Sequence, residues 1–389
     1  MRRLLSRRGL FLAVPMMVLL ASLIVSVEGR SQPAVKGTGV SESVKSFVEN
    51  KSLAGAVMLV ANKDKVLTQE AVGYLDIGAM LMMPLNAIFW IASMTKPITA
   101  VALMMLVDEG KVRLDDPVEK YLPEFKGQMM KVGKDKLAAP KRAITVRDLL
   151  THTSGLPGKI SVETPTLDLL TLKDAGERYG KTPLEFEPGT SFIYSNPGIN
   201  TLGRIIEVTS GMSYEDFMDK RLFHPLGMKD TTFWPSAEQM KRLAKSYKPN
   251  AAKDGLETTQ IWALKYPLDD RKRQPMPAGG LFSTAQDVGV FCQMVLNNGE
   301  HKGKRYISES AVKEMTMRQT PKELKQSWGL GFTANDGVYG HGGAFATNMS
   351  VDSKRGLITV WMVQHNGFPK DGGKAQGAFR SAAEKLFSK

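Results

Sequence analysis

A serine and a lysine three residues apart, Ser93 and Lys96, lie between an apolar run and a long apolar helix pattern. Residues three apart are neighbours on one face of a helix, so we expect the Lys96 amine beside the Ser93 hydroxyl. A serine hydroxyl is a weak nucleophile until a base takes its proton, and a lysine can be that base when burial lowers its pKa. The pair therefore predicts nucleophilic catalysis through Ser93.

The same spacing recurs at Ser310 and Lys313, in a charged stretch that is typical of a solvated helix start. Spacing alone is weak evidence, because a capping serine followed by a surface lysine also produces it. The first pair is distinguished by two further stretches. One holds the only Tyr-x-Asn of the chain, and the other is glycine-rich and leads into a predicted strand; they comprise 191–198 and 339–347.

This order, Ser-x-x-Lys, then Tyr-x-Asn, then a basic residue followed by x-Gly, resembles that of the penicillin-recognising serine hydrolases. Within them the chain is similar to the class C β-lactamase superfamily, which includes family VIII esterases and D,D-peptidases. It looks most like the esterases and D-amino-acid peptidases of that group. Three flanking phrases agree with the resemblance, at 149–156, 225–231 and 279–284.

The resemblance implies catalytic roles at the matching positions. Ser93 would be acylated, and Lys96 would accept or relay its proton. Tyr194 would act as base for the attack and as acid for the leaving group. Asn196 would hydrogen-bond the substrate and orient Lys96. His152, in one of the flanking phrases, is interpreted as structural, because a partial positive charge is favourable at a helix end.

The late glycine-rich stretch would bind the substrate. The resemblance implies that the backbone N–H groups of Ser93 and Ala344 form the oxyanion hole. Absent side chains at Gly342 and Gly343 would let the substrate lie against the strand. Lactamases usually carry lysine at the position of His341, which predicts poorer binding of a β-lactam carboxylate here.

The elements that must position these residues are strands at both ends of the chain, with helices and loops between. This arrangement predicts an α/β (α+β) fold in which one antiparallel sheet, built from distant segments, is flanked by helices. The resemblance implies the β-lactamase/transpeptidase-like fold. We expect a sheet lobe at about 40–106 and 281–389, with a mostly helical insertion at about 107–280. Within the insertion, 248–273 is weakly patterned and is interpreted as a surface loop.

Four arginines precede an uncharged run at 10–27, which predicts that 1–29 is a secretory signal peptide or an N-terminal anchor. The protein is then expected in the periplasm or secreted, or held at a membrane if the segment is uncleaved. The net charge of +13 falls to +10 without those residues, since they carry four arginines and one glutamate. Such a charge is typical of a solvated lysine-rich surface, and no nucleic-acid module is recognisable.

The single cysteine, Cys292, lies in an apolar helix pattern and is expected in the core. A single cysteine excludes a disulfide within the chain and cysteine-based zinc sites, and His-Glu-x-x-His is absent from the sequence. We therefore expect neither a metal nor an organic cofactor.

The sequence predicts an exported serine hydrolase that forms an acyl-enzyme with a small-molecule ester, β-lactam or peptide substrate, without a nucleic-acid partner. One alternative is a D-alanyl-D-alanine carboxypeptidase acting on cell-wall peptides. Another is a catalytically silent envelope-binding protein on the same fold. The loops expected to shape the pocket, such as 126–141 and 248–273, do not reveal the substrate.

Overall fold

The computed structural model describes residues 39–388. Its helices are α1 (Glu42–Glu49), α2 (Thr95–Asp108), α3 (Val146–Leu150), α4 (Leu172–Lys181), α5 (Asn196–Ser210), α6 (Tyr214–Phe217), α7 (His224–Leu226), α8 (Ala237–Lys241), α9 (Ala285–Leu296), α10 (Glu309–Thr316) and α11 (Ala375–Phe387). Helices α3 to α8 lie in the middle of the chain, and α1 and α11 lie near the two ends of the described part.

The strands form one large sheet and four short two-stranded pairs. They are β1 (Gly55–Ala61), β2 (Val66–Asp76), β3 (Leu81–Met82), β4 (Phe89–Trp90), β5 (Met130–Lys131), β6 (Leu137–Ala138), β7 (Tyr247–Pro249), β8 (Leu256–Thr258), β9 (Phe282–Ser283), β10 (Glu300–His301), β11 (Lys304–Arg305), β12 (Thr333–Asn335), β13 (Val338–Gly342), β14 (Asn348–Asp352) and β15 (Leu357–Met362).

The large sheet joins the two ends of the described chain. Its order is β12-β13-β14-β15-β1-β2-β3, and every neighbouring pair is antiparallel. The central pairing sets Leu59 of β1 opposite Val360 of β15. The predicted antiparallel sheet of distant segments is confirmed, while the domain boundaries stay a prediction.

Strand β1 is buried along its whole length, because helices cover both faces of the sheet. Its side chains alternate between two apolar clusters, as the two-residue period of a strand requires. Met58 packs in the cluster that contains Phe379 of α11. Leu59 packs in the larger cluster that contains Val288 of α9. The predicted core position of Cys292 on α9 is confirmed, since it is buried as a free thiol.

Several elements differ from the sequence-based expectations. The sequence pattern predicts a helix at 199–210, but α5 begins at Asn196, because the Ser195 side chain caps it by accepting from the Gly198 N–H. The pattern at 329–333 likewise predicts a strand, but β12 begins only at Thr333.

The interpretation of 248–273 as a surface loop holds for most of its residues, which are exposed or half-buried, but not for all of them. Strands β7 and β8 form a short hairpin there. Ile261 and Leu268 are buried in one cluster with Trp90, next to the predicted nucleophile. Arg273 is buried and its Nε lies 2.7 Å from the Asp168 carboxylate, so an ion pair fixes the end of the segment.

No helix among residues 39–388 is long and apolar enough to span a membrane. No group of His, Cys, Asp or Glu side chains in this part of the chain is arranged to hold a metal ion. The predicted signal or anchor segment, 1–29, lies outside the described residues.

Candidate active site

Ser93 lies in a single 3-10 turn, Ala92–Met94, that leads directly into α2. Ala92 has a φ of 46°, a conformation that costs energy for a residue other than glycine. The turn is held by its neighbours, since the Thr95 hydroxyl donates to the Ala92 carbonyl at 2.6 Å. Ile91 N–H also donates to the Leu281 carbonyl beside β9, at 3.0 Å. The serine is thus presented at a fixed point between the sheet and α2.

Lys96 is fully buried in the first turn of α2 and its amine donates to three oxygens. They are Ser93 Oγ at 3.1 Å, Asn196 Oδ1 at 3.0 Å and the Ala278 carbonyl at 2.5 Å. Burial lowers the pKa of Lys96 to about 7, against a smaller opposing effect of the Glu163 carboxylate. A substantial fraction of this lysine is therefore neutral near pH 7 and able to accept a proton.

Tyr194 completes the group around the serine. The Lys96 amine lies 4.7 Å from the centre of its ring. Burial raises the pKa of the Tyr194 hydroxyl, and the neighbouring Ser93 side chain lowers it by less. The phenol is thus protonated at neutral pH, which makes Lys96 the member of this trio that titrates there.

His341 on β13 is buried and faces Tyr194, with Nε2 3.3 Å from the Tyr194 hydroxyl. Its Nδ1 lies 2.6 Å from the Gly342 carbonyl, which can only accept, so Nδ1 carries the proton and Nε2 is the acceptor. Burial, reinforced by the charge of Lys96, lowers the pKa of His341 to about 3. The imidazole is therefore neutral across the physiological pH range.

The two glycines after His341 differ in their surroundings. A Cβ on Gly343 would lie 2.1 Å from Thr347 Oγ1 and 2.6 Å from the Ile91 carbonyl, so only glycine lets the strand end approach the Ser93 turn. A Cβ on Gly342 would meet nothing closer than 3.6 Å. Ala344 follows as an exposed residue in the turn after β13. The structure thus brings all the predicted site residues to one place, while their individual roles stay predictions.

The contacts of His152 agree with its interpretation as structural, although not with the reason given for it. The N–H of Ser195 donates to its Nδ1 at 3.1 Å, and the N–H of Ile193 donates to its carbonyl at 3.1 Å. Its ring centre lies 4.5 Å from that of Tyr194. Burial lowers the pKa of His152, so the proposed charge at a helix end is not the reason for this histidine. It holds the backbone on both sides of Tyr194, and its place in a flanking phrase of the resemblance was the available signal.

Comparisons with known proteins agree with this geometry. A family model described as Beta-lactamase matches residues 40–384. A Mycobacterium tuberculosis protein named as uncharacterized is 32% identical over 368 residues, covering 84% of this chain and 90% of the relative. A Salmonella agona protein named putative D-alanyl-D-alanine carboxypeptidase is 29% identical over 366 residues, covering 81% and 80%.

Solved structures show the same fold. EstCE1, described as a hydrolase with promiscuous acyltransferase activity, superposes with a TM-score of 0.76 at 22% identity, covering 88% of this chain and 97% of EstCE1. An octameric penicillin-binding protein homologue from Pyrococcus abyssi gives a TM-score of 0.68 at 25% identity, covering 89% and 76%. The family match spans nearly all of the described chain and includes every predicted site residue. The chain belongs to the beta-lactamase family and is a serine hydrolase of that family.

Proposed function

We propose that the protein is an exported serine hydrolase that cleaves carboxylic esters or peptide-like amides through an acyl-enzyme on Ser93. The observation that carries the proposal is the buried Lys96 amine, which lies 3.1 Å from Ser93 Oγ and has its pKa lowered to about 7. A nucleophile with a base in hydrogen-bond reach, itself oriented by Asn196 and a carbonyl, is the arrangement that serine activation requires.

In the proposed reaction, neutral Lys96 takes the proton of the Ser93 hydroxyl as Oγ attacks the substrate carbonyl carbon. The negative oxygen of the tetrahedral intermediate would be held by backbone N–H groups of Ser93 and Ala344. When the intermediate collapses, the leaving alkoxide or amine takes the phenol proton of Tyr194, which Lys96 then replaces. In the second half of the reaction, water attacks the acyl carbonyl carbon and gives a proton to Lys96. The lysine passes a proton to Ser93 Oγ as the acyl–serine bond breaks, which releases the carboxylic acid and restores the enzyme.

A neutral ester is favoured over an anionic β-lactam. The strand that would lie along the substrate offers the imidazole of His341, which is neutral and already occupied by Gly342 and Tyr194. A hydrogen bond to a charged group contributes ~1.5–3 kcal/mol when well made, and no such cation stands at this position for a substrate carboxylate. A D-alanyl-D-alanine carboxypeptidase is the second candidate, because the Salmonella agona relative bears that name.

Covalent labelling separates an enzyme from a silent binding protein. A fluorescent fluorophosphonate probe should label the wild type and Ser310→Ala but not Ser93→Ala, with the modified residue located by peptide mass analysis. A panel of a short-chain ester, a D-Ala-D-Ala peptide and a chromogenic cephalosporin then ranks the substrates by kcat/KM. Labelling of Ser93→Ala would refute the nucleophile, and the highest kcat/KM on the peptide would select the carboxypeptidase.

Export is proposed from the sequence at 1–29 alone. N-terminal sequencing of the protein from its native cells should begin near Arg30, or the uncleaved protein should sediment with membranes. Soluble cytoplasmic protein that retains Met1 would contradict export without affecting the proposed reaction.

A further inference from the structure

A chain of hydrogen bonds leaves Lys96 on the side away from Ser93. The Lys96 amine donates to the Ala278 carbonyl at 2.5 Å. The N–H of the same residue, Ala278, donates to Asn200 Oδ1 on α5 at 3.0 Å. Asn200 is buried, so these bonds have little competition from solvent. The side-chain amide of Asn200 is therefore connected to Lys96 through Ala278, and it extends the hydrogen-bond chain into the helical part of the molecule.

The chain ends on a buried carboxylate. Asn200 Nδ2 donates to the Tyr179 hydroxyl on α4 at 3.1 Å, and that hydroxyl donates to Glu163 Oε1 at 2.8 Å. The second carboxylate oxygen accepts from the Ile160 N–H at 2.9 Å. Tyr179 and Glu163 are 2% and 6% exposed, so the carboxylate is held by these bonds rather than by surface water.

Every link points the same way. An ammonium only donates and a carboxylate only accepts, so every hydrogen bond of the chain is donated in the direction of Glu163. The Ala278 carbonyl and N–H belong to successive peptide groups, so they are joined through the Cα of Ala278 and not within one amide. Aligned hydrogen bonds polarise one another, and in a buried setting their charges are weakly screened. A negative charge at Glu163 therefore acts on Asn200 and on the N–H of Ala278, and the backbone of Ala278 fixes the carbonyl that accepts from the protonated lysine.

The other titratable groups around Lys96 carry no charge at neutral pH. His152 and His341 are buried with lowered pKa values, and Tyr194 is buried with a raised one. Glu163 is the carboxylate in the described chain whose charge raises the pKa of Lys96 against the effect of burial. Burial raises the pKa of Glu163 itself, and the bonds to Ile160 and Tyr179 and the charges of Lys96 and Lys159 lower it.

We propose that Glu163 is a positioning residue that acts on Lys96 through this chain and sets the pH at which the lysine becomes available as a base. It touches neither the substrate nor the reacting atoms. The inference rests on the proposed function, because it assigns to Lys96 the proton transfer from Ser93.

The test is the pH profile of kcat/KM on a neutral ester, normalised to its own plateau so that a reduced folded fraction does not move the midpoint. Without the anionic end of the chain, protonated Lys96 is less stable. The acidic limb of Glu163→Gln should therefore shift to lower pH. Tyr179→Phe keeps the carboxylate but interrupts the chain, so its limb should shift in the same direction by less. Glu177→Gln, an exposed change on α4, should leave the limb in place.

The outcomes are distinct. No shift in Glu163→Gln, or a shift to higher pH, overturns the proposal. A shift in Glu163→Gln with none in Tyr179→Phe also overturns it, since the charge would then act through space and not through the chain. Undiminished turnover by Lys96→Met would instead refute the proposed function, because the lysine would not be the base.

Discussion

Replacing Lys96 by methionine should abolish activity and make the difference in stability from the wild type depend on pH. The pKa of this lysine falls from 10.5 when unfolded to about 7 when folded, because the folded protein buries it completely. At ~1.36 kcal/mol for each pKa unit, keeping the charged amine inside costs about 5 kcal/mol. Methionine is of similar length and carries no charge, so Lys96→Met removes that cost.

Part of the gain is offset. The Ala278 carbonyl and Asn196 Oδ1 would each lose the amine as a donor, at ~1–3 kcal/mol for each acceptor left buried. The expected change in the free energy of unfolding at pH 6 is therefore between about −1 and +3 kcal/mol. The sign of the pH dependence follows from proton binding. Below pH 7 Lys96 is protonated in both the folded and the unfolded wild type, so the full cost of burying the charge is present. Between pH 7 and 10.5 it is protonated only in the unfolded state.

The free energy of unfolding of the wild type should therefore increase relative to that of Lys96→Met as the pH rises from 7 towards 10.5. Urea unfolding at pH 6 and at pH 9 measures both effects, with Lys313→Met, an exposed lysine of the second Ser-x-x-Lys, as the matched control. A difference in stability between the two proteins that is the same at pH 6 and at pH 9 would refute the reasoning. The control should change neither stability nor turnover.

Three further predictions concern turnover. Since Lys96 must be neutral to act as base, kcat/KM on a neutral ester should fall ~10-fold for each pH unit below 7, and a flat profile from pH 5 to 8 would contradict this. Tyr194→Phe, which removes only the hydroxyl, should lower kcat by ~10²–10⁴-fold in steady-state assays, while near-normal turnover would make Tyr194 a packing residue. Gly343→Ala should lower kcat/KM by at least ~10-fold and destabilise by ~1–3 kcal/mol in thermal melts, because its Cβ would lie 2.6 Å from the Ile91 carbonyl. Gly342→Ala, which has room, should be tolerated, and equal effects of the two changes would argue against close approach at Gly343.

The sequence predicts most of what depends on local pattern. Ser93 and Lys96 are three residues apart, so any helical turn brings them together, and the structure separates their polar atoms by 3.1 Å. Two strand-like stretches, 54–61 and 66–73, flank a polar turn at 62–65 and so predict a hairpin, and β1 and β2 pair in this way. The second Ser-x-x-Lys was correctly interpreted as a solvated helix start, since Ser310 lies exposed in the first turn of α10.

Long-range polar contacts could not be predicted in this way. Asn200 and Ala278 are 78 positions apart, and Asp168 and Arg273 are 105 apart. Nothing in their local patterns distinguishes them from ordinary polar residues of a helix or a loop. The burial of Arg273 within 248–273 could not be predicted for the same reason, because an arginine usually indicates exposure unless its partner is known.

The state of His341 also needed the structure, and it changes the expected behaviour of Tyr194. From sequence, a histidine in place of lysine indicates only a weaker and titratable positive charge. Buried beside Lys96 and bonded to the Gly342 carbonyl, it is instead a permanent acceptor. The resting Tyr194 proton is then directed at His341 Nε2, which leaves a lone pair of the phenol oxygen free to face Ser93. A lysine at this position only donates and would reverse that direction. The substitution therefore acts on the orientation of the proton-transfer group as well as on substrate charge.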